Sequence, residues 1–277
     1  MIVSFYLLFS LMFVLVACST EPNSTEQQTQ QNEKETAEPK AEGNTPKKGG
    51  ELIVALINTF NSLDPIKSTP GYAPVVLNNM FDTLIEYDKD LQPQPGLATS
   101  WEMPDDKTIV LQLHEGVKFH DGTPFDAEAV KFNIERAISD EALIKDLKNV
   151  ESAEVVDTYT VKLHLKQPDS SIILALSERT GMMVSPAAVE KYGEEFSQNP
   201  VGTGPFKFVS WEPNGGDLVM EAYDEYWQEG LPYVDKMTIK NMPDENTMIN
   251  AVSSGQVDFA FPLSTSNVPV LEKNKNI

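Results

Sequence analysis

Cysteine is almost absent from this 277-residue sequence, and the single one, Cys18, excludes an internal disulfide, a cysteine-rich zinc site and a redox pair. Arginine is nearly as scarce. Of 21 basic residues only Arg136 and Arg179 are arginine, which leaves few groups suited to bidentate capture of a carboxylate. There are three histidines. His114 and His164 fall at polar positions of alternating segments and His120 begins a turn, so all three read as exposed structural residues. No Gly-x-Ser-x-Gly or His-Glu-x-x-His occurs, and Gly202-Thr203-Gly204 lacks the Lys-Ser/Thr of a phosphate loop and reads as a structural turn. No internal repeat is visible. With a formal net charge of −21 and no basic patch, the composition argues against nucleic acid or an anionic membrane surface as partner. These absences argue against an enzyme and call for no cofactor and no metal.

What is present begins with an uncharged, apolar run from Met1 to Ala17. It is shorter than the roughly 20 residues a spanning helix needs, and small residues precede Cys18, so it reads as a signal peptide. The first basic residue is Lys34, whereas a signal peptide normally opens with Lys or Arg, and this points to a misassigned start codon. Leu15-Val16-Ala17-Cys18 resembles the lipobox of bacterial lipoproteins. The resemblance implies that Cys18 is the lipidated first residue of the mature chain. From Ser19 to Lys48 only Ala37 and Ala41 belong to the hydrophobic set, too little to offset the entropy of folding, so residues 18–48 read as the lipidated cysteine and a flexible tether.

Residues 49–277 have the patterning of a folded body. Glu51 to Ile57 is a short apolar run behind Gly49-Gly50 and reads as a buried strand. Val76, Met80 and Leu84 recur at helical spacing between Tyr72 and Leu84, and the stretch from Tyr87 to Gly96 is rich in turn residues. Alternation predicts half-buried strands at Thr108 to His114, Thr160 to Leu165 and Phe206 to Trp211. Asp126 is placed to cap a helix whose Val130, Ile134, Ala137 and Ile138 share one face, with Arg136 on its surface. A strand at Lys236 to Lys240 and a helix at Glu245 to Ser253 follow, giving α/β or α+β order overall.

Several of these segments resemble the solute-binding proteins of dipeptide, oligopeptide, nickel and glutathione ABC importers. The resemblance rests on Leu63-Asp64-Pro65, on Phe81-Asp82-Thr83-Leu84-Ile85-Glu86-Tyr87 and on Gly96-Leu97-Ala98-Thr99-Ser100-Trp101-Glu102. The longest match is the unbroken run from Leu113 to Ala127 containing Lys118-Phe119-His120-Asp121-Gly122-Thr123-Pro124. Asn199 to Phe206, Tyr226-Trp227 and Ser254 to Asp258 continue it in order, while Gly181 to Ala188 and Phe259-Ala260-Phe261-Pro262 look most like the glutathione-binding branch.

The resemblance implies a type II periplasmic-binding-protein-like α/β fold. Lobe I would comprise 49–80 plus 199–262, an inserted subdomain 81–198, and the hinge and start of lobe II 263–277. Family members run to about twice this length, so lobe II is expected to be largely missing. The implied function is capture of short peptides or glutathione by a monomeric, extracytoplasmic protein, lipid-anchored to the cell membrane of a Gram-positive bacterium. Delivery would be to ABC permease subunits and, through them, to ATPase subunits. The implied ligand residues are Phe60, Asn61, Ser62 and Leu63 after the first strand, then Arg179, Thr180, Gly181, Met182 and Met183, and Phe261 at the hinge. Arg179 reads either as a carboxylate clamp beside pocket-lining methionines or as an exposed helix-end arginine followed by core methionines. The alternative function is a non-transporting fragment of a split gene, or a surface module that binds a partner protein. Changing Cys18 to Ala should abolish both membrane partitioning and the lipid mass of the mature protein; unchanged retention in a membrane fraction would contradict lipidation.

Overall fold

Apolar residues at nearly every position suit a strand covered on both faces, and Glu51–Leu56 forms β1 as expected. The computed structural model describes residues 46–57, 61–69, 71–213 and 215–273, so the signal peptide, Cys18, the tether as far as residue 45 and Phe60 lie outside the described residues. A loop leads from β1 to a short helix, α1 (Ala73–Leu77), and then to a hairpin of β2 (Ile85–Tyr87) and β3 (Pro93–Pro95). There follow β4 (Ala98–Asp105), β5 (Thr108–Leu113), α2 (Ala127–Ile138), β6 (Val150–Asp157) and β7 (Thr160–Leu165). Next come α3 (Ser171–Ala175), α4 (Pro186–Tyr192), β8 (Phe206–Trp211), β9 (Leu218–Ala222) and β10 (Lys236–Asn241). The described chain ends with α5 (Glu245–Ser253), β11 (Phe259–Phe261) and α6 (Val268–Leu271).

Two sheets organise these elements. One has five strands in the order β11-β1-β10-β9-β8, with β1 parallel to both its neighbours. The other is antiparallel, in the order β4-β5-β7-β6. Each covers its own core. Ile109, Leu111 and Leu113 of β5 pack with Val130, Ile134 and Ala137 of α2, the face that the helical spacing predicts. On one face of the five-stranded sheet, Leu56, Met220 and Ile239 pack with Val76, Leu77 and Met80. On the other, Ala55 meets Met248 and Ala251 of α5. Asp126 and Asp244 cap α2 and α5, each accepting the N–H of the residue three positions on.

Three departures from the sequence expectations have local causes. The helical spacing of 72–84 continues only to Leu77, because Asn79 turns its amide back onto the Val75 and Val76 carbonyls. The next carbonyls are needed elsewhere: Asn79 O accepts the Phe206 N–H and Met80 O accepts the Gly204 N–H. Strands β4 and β6 were not anticipated, since they are the edges of their sheet and most of their side chains are exposed. Arg136 is not a surface group; its side chain is 16% exposed and its Nη2 lies 2.6 Å from the buried Asp64 carboxylate.

The Gly202-Thr203-Gly204 turn joins the two sheets by close approach. A Cβ at Gly202 would lie 2.2 Å from Met80 O, and one at Gly204 would lie 2.5 Å from Met80 C. Only glycine lets these backbones meet. Gly202→Ala should therefore destabilise the body by about 3 kcal/mol, at the upper end of overpacking costs, measured by urea unfolding. A loss within experimental error of zero would show that the turn yields freely.

Candidate functional site

Because β1, β10 and β11 run parallel, their carboxyl ends lie at one edge of the sheet, the position where open α/β sheets bind ligands. Ile57, Asn241 and Phe261 mark this edge, and Met242 N–H donates to Leu56 O to hold the ends level. Phe261 is 38% exposed, and its ring meets Tyr72 edge-on at 5.6 Å. Phe259, on the same face of the short edge strand β11, is also exposed. The edge thus offers aromatic surface beside the strand ends, a setting suited to a small amphipathic ligand.

The loop leaving β1 forms the adjoining wall. Residues 62–66 are buried, with Leu63 in the core of the five-stranded sheet and Ile66 in that of the four-stranded sheet. Ser62 Oγ accepts the Asp64 N–H at 3.0 Å, and Asp64 Oδ1 accepts that of Ile66 at 3.3 Å. Asn61 remains exposed and accepts the Thr69 N–H through Oδ1, closing the loop on itself. Arg179 donates through Nη1 to Ser68 O at 2.9 Å, to Ser68 Oγ at 3.0 Å and to Thr69 O at 3.4 Å. Partial burial lowers its guanidinium pKa, offset in part by Asp146 and Glu178.

Of the residues expected from sequence, the structure therefore brings Asn61, Ser62 and Leu63 together with Arg179 through the 61–69 loop. Phe261 stands with Tyr72 at the strand ends, and Phe60 lies outside the described residues. Thr180, Gly181, Met182 and Met183 are buried. Thr180 Oγ1 donates to Ala175 O, Met182 packs in the core of the five-stranded sheet and Met183 in that of the four-stranded one. These four residues are interior, and their Arg179 neighbour faces the loop. The sequence reading missed Tyr72, Asp64 and Ser68. Their only signals were the Leu-Asp-Pro motif and the position of Tyr72 at the N-terminus of α1.

Behind the site, a second set of motif residues locks the sheets together. The Asp82 carboxylate, almost wholly buried, accepts Trp227 Nε1–H at 2.7 Å and the Tyr226 hydroxyl at 3.1 Å, while Asp82 N–H donates to Thr203 Oγ1. Among the described residues no cation is paired with it. Desolvation pushes its pKa up to about 7, the hydrogen bonds from Trp227 and Tyr226 oppose the shift, and Glu86 adds to it. His120 is half-buried rather than exposed. Its Nε2 lies 2.8 Å from Gly204 O, Gly202 N–H donates to its Nδ1, and its ring packs edge-on against Tyr223. Both bonds together require the neutral Nε2–H tautomer, and burial lowers its pKa to about 4.

Other cavities lie elsewhere. One of about 510 Å³ opens between α2 and α4, lined by Glu128, Phe132, Glu135 and Pro186. An apolar groove of about 300 Å³ is lined by Phe206, Leu231, Tyr233 and Met237. Among the described residues, no group of three or more His, Cys, Asp or Glu is arranged to hold a metal ion. No described helix is long and apolar enough to cross a membrane.

Known proteins share this architecture. AgaA from A. tumefacien R10, solved with agropinic acid, superposes with a TM-score of 0.76 at 31% identity, over 82% of this chain and 46% of that one. The oligopeptide-binding protein AppA of Bacillus subtilis, solved with a nonapeptide, gives 0.74 at 26% identity, over 83% and 47%. The fold is thus that of the periplasmic peptide-binding proteins. In sequence, residues 92–277 match the family model described as bacterial extracellular solute-binding proteins, family 5 middle. Glutathione-binding protein GsiB of Pectobacterium atrosepticum is 38% identical over 232 residues, and GsiB of Escherichia coli K12 is 39% identical over the same length. The chain belongs to family 5 of the bacterial extracellular solute-binding proteins. It covers 45% of the length of each of these GsiB relatives.

The Asp82 lock has a pH signature. Its folded-state pKa is raised, so its stabilising contribution is full below the unfolded value near 4 and is lost as pH rises towards 7. His120 has the opposite sign, contributing above about 6.5 and losing that contribution as pH falls towards 4. The difference in unfolding free energy between Asp82→Asn and wild type isolates the first group. From pH 5 to pH 8 it should shift by about 2 kcal/mol in favour of the variant. A pH-independent difference would show that Asp82 stays ionised throughout.

Proposed function

We propose that this chain provides one wall of the ligand cleft of an ABC importer's solute-binding lipoprotein, which captures short peptides or glutathione outside the cytoplasmic membrane for delivery to the permease. The observation that carries this reading is the sheet edge where β1, β10 and β11 end beside Phe261, Tyr72 and the 61–69 loop, in a chain 38–39% identical to glutathione-binding relatives. In this reading residues 49–80 plus 199–262 form lobe I, 81–198 the inserted subdomain, and 263–277 the hinge and start of lobe II. The use of residues 51–56 and 206–261 by one sheet, and of 98–165 by the other, supports that division. Lipidation of Cys18 and a tether over 18–48 would hold the body near the membrane. The ligand is held without a covalent step, by backbone groups at the strand ends and by the aromatic edge.

A single wall supplies part of the contact energy of a closed cleft. If a complete cleft binds near 1 μM, roughly −8 kcal/mol, half of that corresponds to about millimolar affinity. Calorimetry of the chain with reduced glutathione and with trialanine should therefore show saturable binding of at least one of them at about 1 mM. No saturable heat from either ligand up to about 10 mM would overturn the reading.

A further inference from the structure

The two arginines converge on one loop. They come from different elements of the 127–198 stretch, Arg136 from α2 and Arg179 from the 3-10 turn Arg179–Gly181. Both reach back more than 70 positions to residues 64–69, Arg136 across 72 positions to Asp64 and Arg179 across 111 to Ser68. The same stretch adds two backbone ties, Leu143 N–H to Ile66 O at 2.9 Å and Leu63 N–H to Ser197 O at 2.9 Å. The loop that follows β1 is thus held from outside its own sheet. The Arg136 guanidinium also lies over the Phe196 ring at 5.8 Å, which fixes its plane before it meets the carboxylate.

We infer that Arg136 and Arg179 are positioning residues: they hold the 61–69 loop in its ligand-ready form from the adjoining subdomain, and neither touches the ligand. The inference rests on the proposed ligand surface and replaces a direct clamp at Arg179 with a backbone one. The chemistry favours this assignment. Arg179 spends Nη1 on two carbonyls and a hydroxyl of the loop, and the almost fully enclosed Asp64 carboxylate is paired with Arg136. A planar fork suits such fixed acceptors better than a flexible ammonium. Because α2, which carries Arg136, also packs on the four-stranded sheet, any movement of that sheet is transmitted to the loop beside the strand ends.

The test uses amide exchange and ligand titration on the same samples of the full chain. Arg179→Ala should speed exchange at 62–69 by about tenfold or more while leaving β5 and β7 unchanged. It should weaken trialanine and trialanine amide by the same factor, because the loop and not a carboxylate contact is lost. Arg136→Ala leaves the enclosed Asp64 unpaired and is exposed to misfolding, so Arg136→Lys is the second variant, with a smaller rise in exchange confined to the same residues. Unchanged exchange at 62–69 in both variants, or a rise spread evenly over the chain, would overturn the inference. An affinity loss confined to the free acid would also overturn it, by restoring Arg179 as a clamp. If wild-type protein binds neither these peptides nor reduced glutathione, the ligand reading fails while the exchange data still decide whether the arginines pin the loop.

Discussion

The structure depends on a close backbone crossing between residues 79–82 and 202–206. Met80 O and Asn79 O leave the helical ladder to accept the Gly204 and Phe206 N–H groups, which ends α1 and starts β8 from the same contact. No side chain fits between the two segments at Gly202 or Gly204. Around this crossing Asp82 gathers Thr203, Tyr226 and Trp227, and His120 clasps the far side of the turn. Burying an unpaired carboxylate is unfavourable, and the hydrogen bonds from Trp227 and Tyr226 offset that only in part, as the raised pKa of Asp82 reflects. The family motifs that looked scattered in sequence are therefore one object: Phe81-Asp82-Thr83, His120, Gly202-Thr203-Gly204 and Tyr226-Trp227 meet at the junction of the two sheets.

That junction fixes where the remaining elements fall. With the four-stranded sheet locked against the five-stranded one, α2 and the turn at Arg179 are carried to the loop after β1. The loop then needs little order of its own, because residues 62–66 are enclosed by two cores and tied at Asp64, Ile66 and Ser68. Breaking the enclosed Arg136–Asp64 pair by removing one partner costs about 3–5 kcal/mol in comparable sites, enough to loosen a segment of this size. A preformed wall lowers the entropy lost when a flexible peptide settles on it.

Much of the scaffold was legible in the sequence because it is written in local patterns. Strands β5, β7 and β8 and helix α5 follow alternation or capping that depends on neighbours within a few positions. The edge strands β4 and β6 were not legible, since most of their side chains face outward and only a few, Ala98, Val150 and Ala153 among them, reach the core without a regular alternation to announce them. Arg136 was misread for a related reason. The apolar stripe of α2 locates its buried face, but Asn133 and Arg136 form a polar buried stripe beside it, and their partners lie far away in sequence at Val184 and Asp64. His120 was placed in a turn correctly, yet nothing near it shows that the turn is covered by Gly202 and Gly204. The residues of the candidate site are mixed in the same way. Asn61 and Phe261 follow from strand ends, whereas the direction in which Arg179 points is settled only by tertiary contacts.

The central claim is that the carboxyl ends of the parallel strands, walled by the 61–69 loop, form the ligand surface. Titrating isotope-labelled chain with reduced glutathione and mapping the amide chemical shifts tests it most directly. The account predicts saturable perturbations concentrated at Ile57, Asn61, Tyr72, Asn241 and Phe261, with the four-stranded sheet unmoved. Perturbations centred instead on Glu128 and Phe132 in the groove between α2 and α4, or on Leu231 and Tyr233, would contradict it.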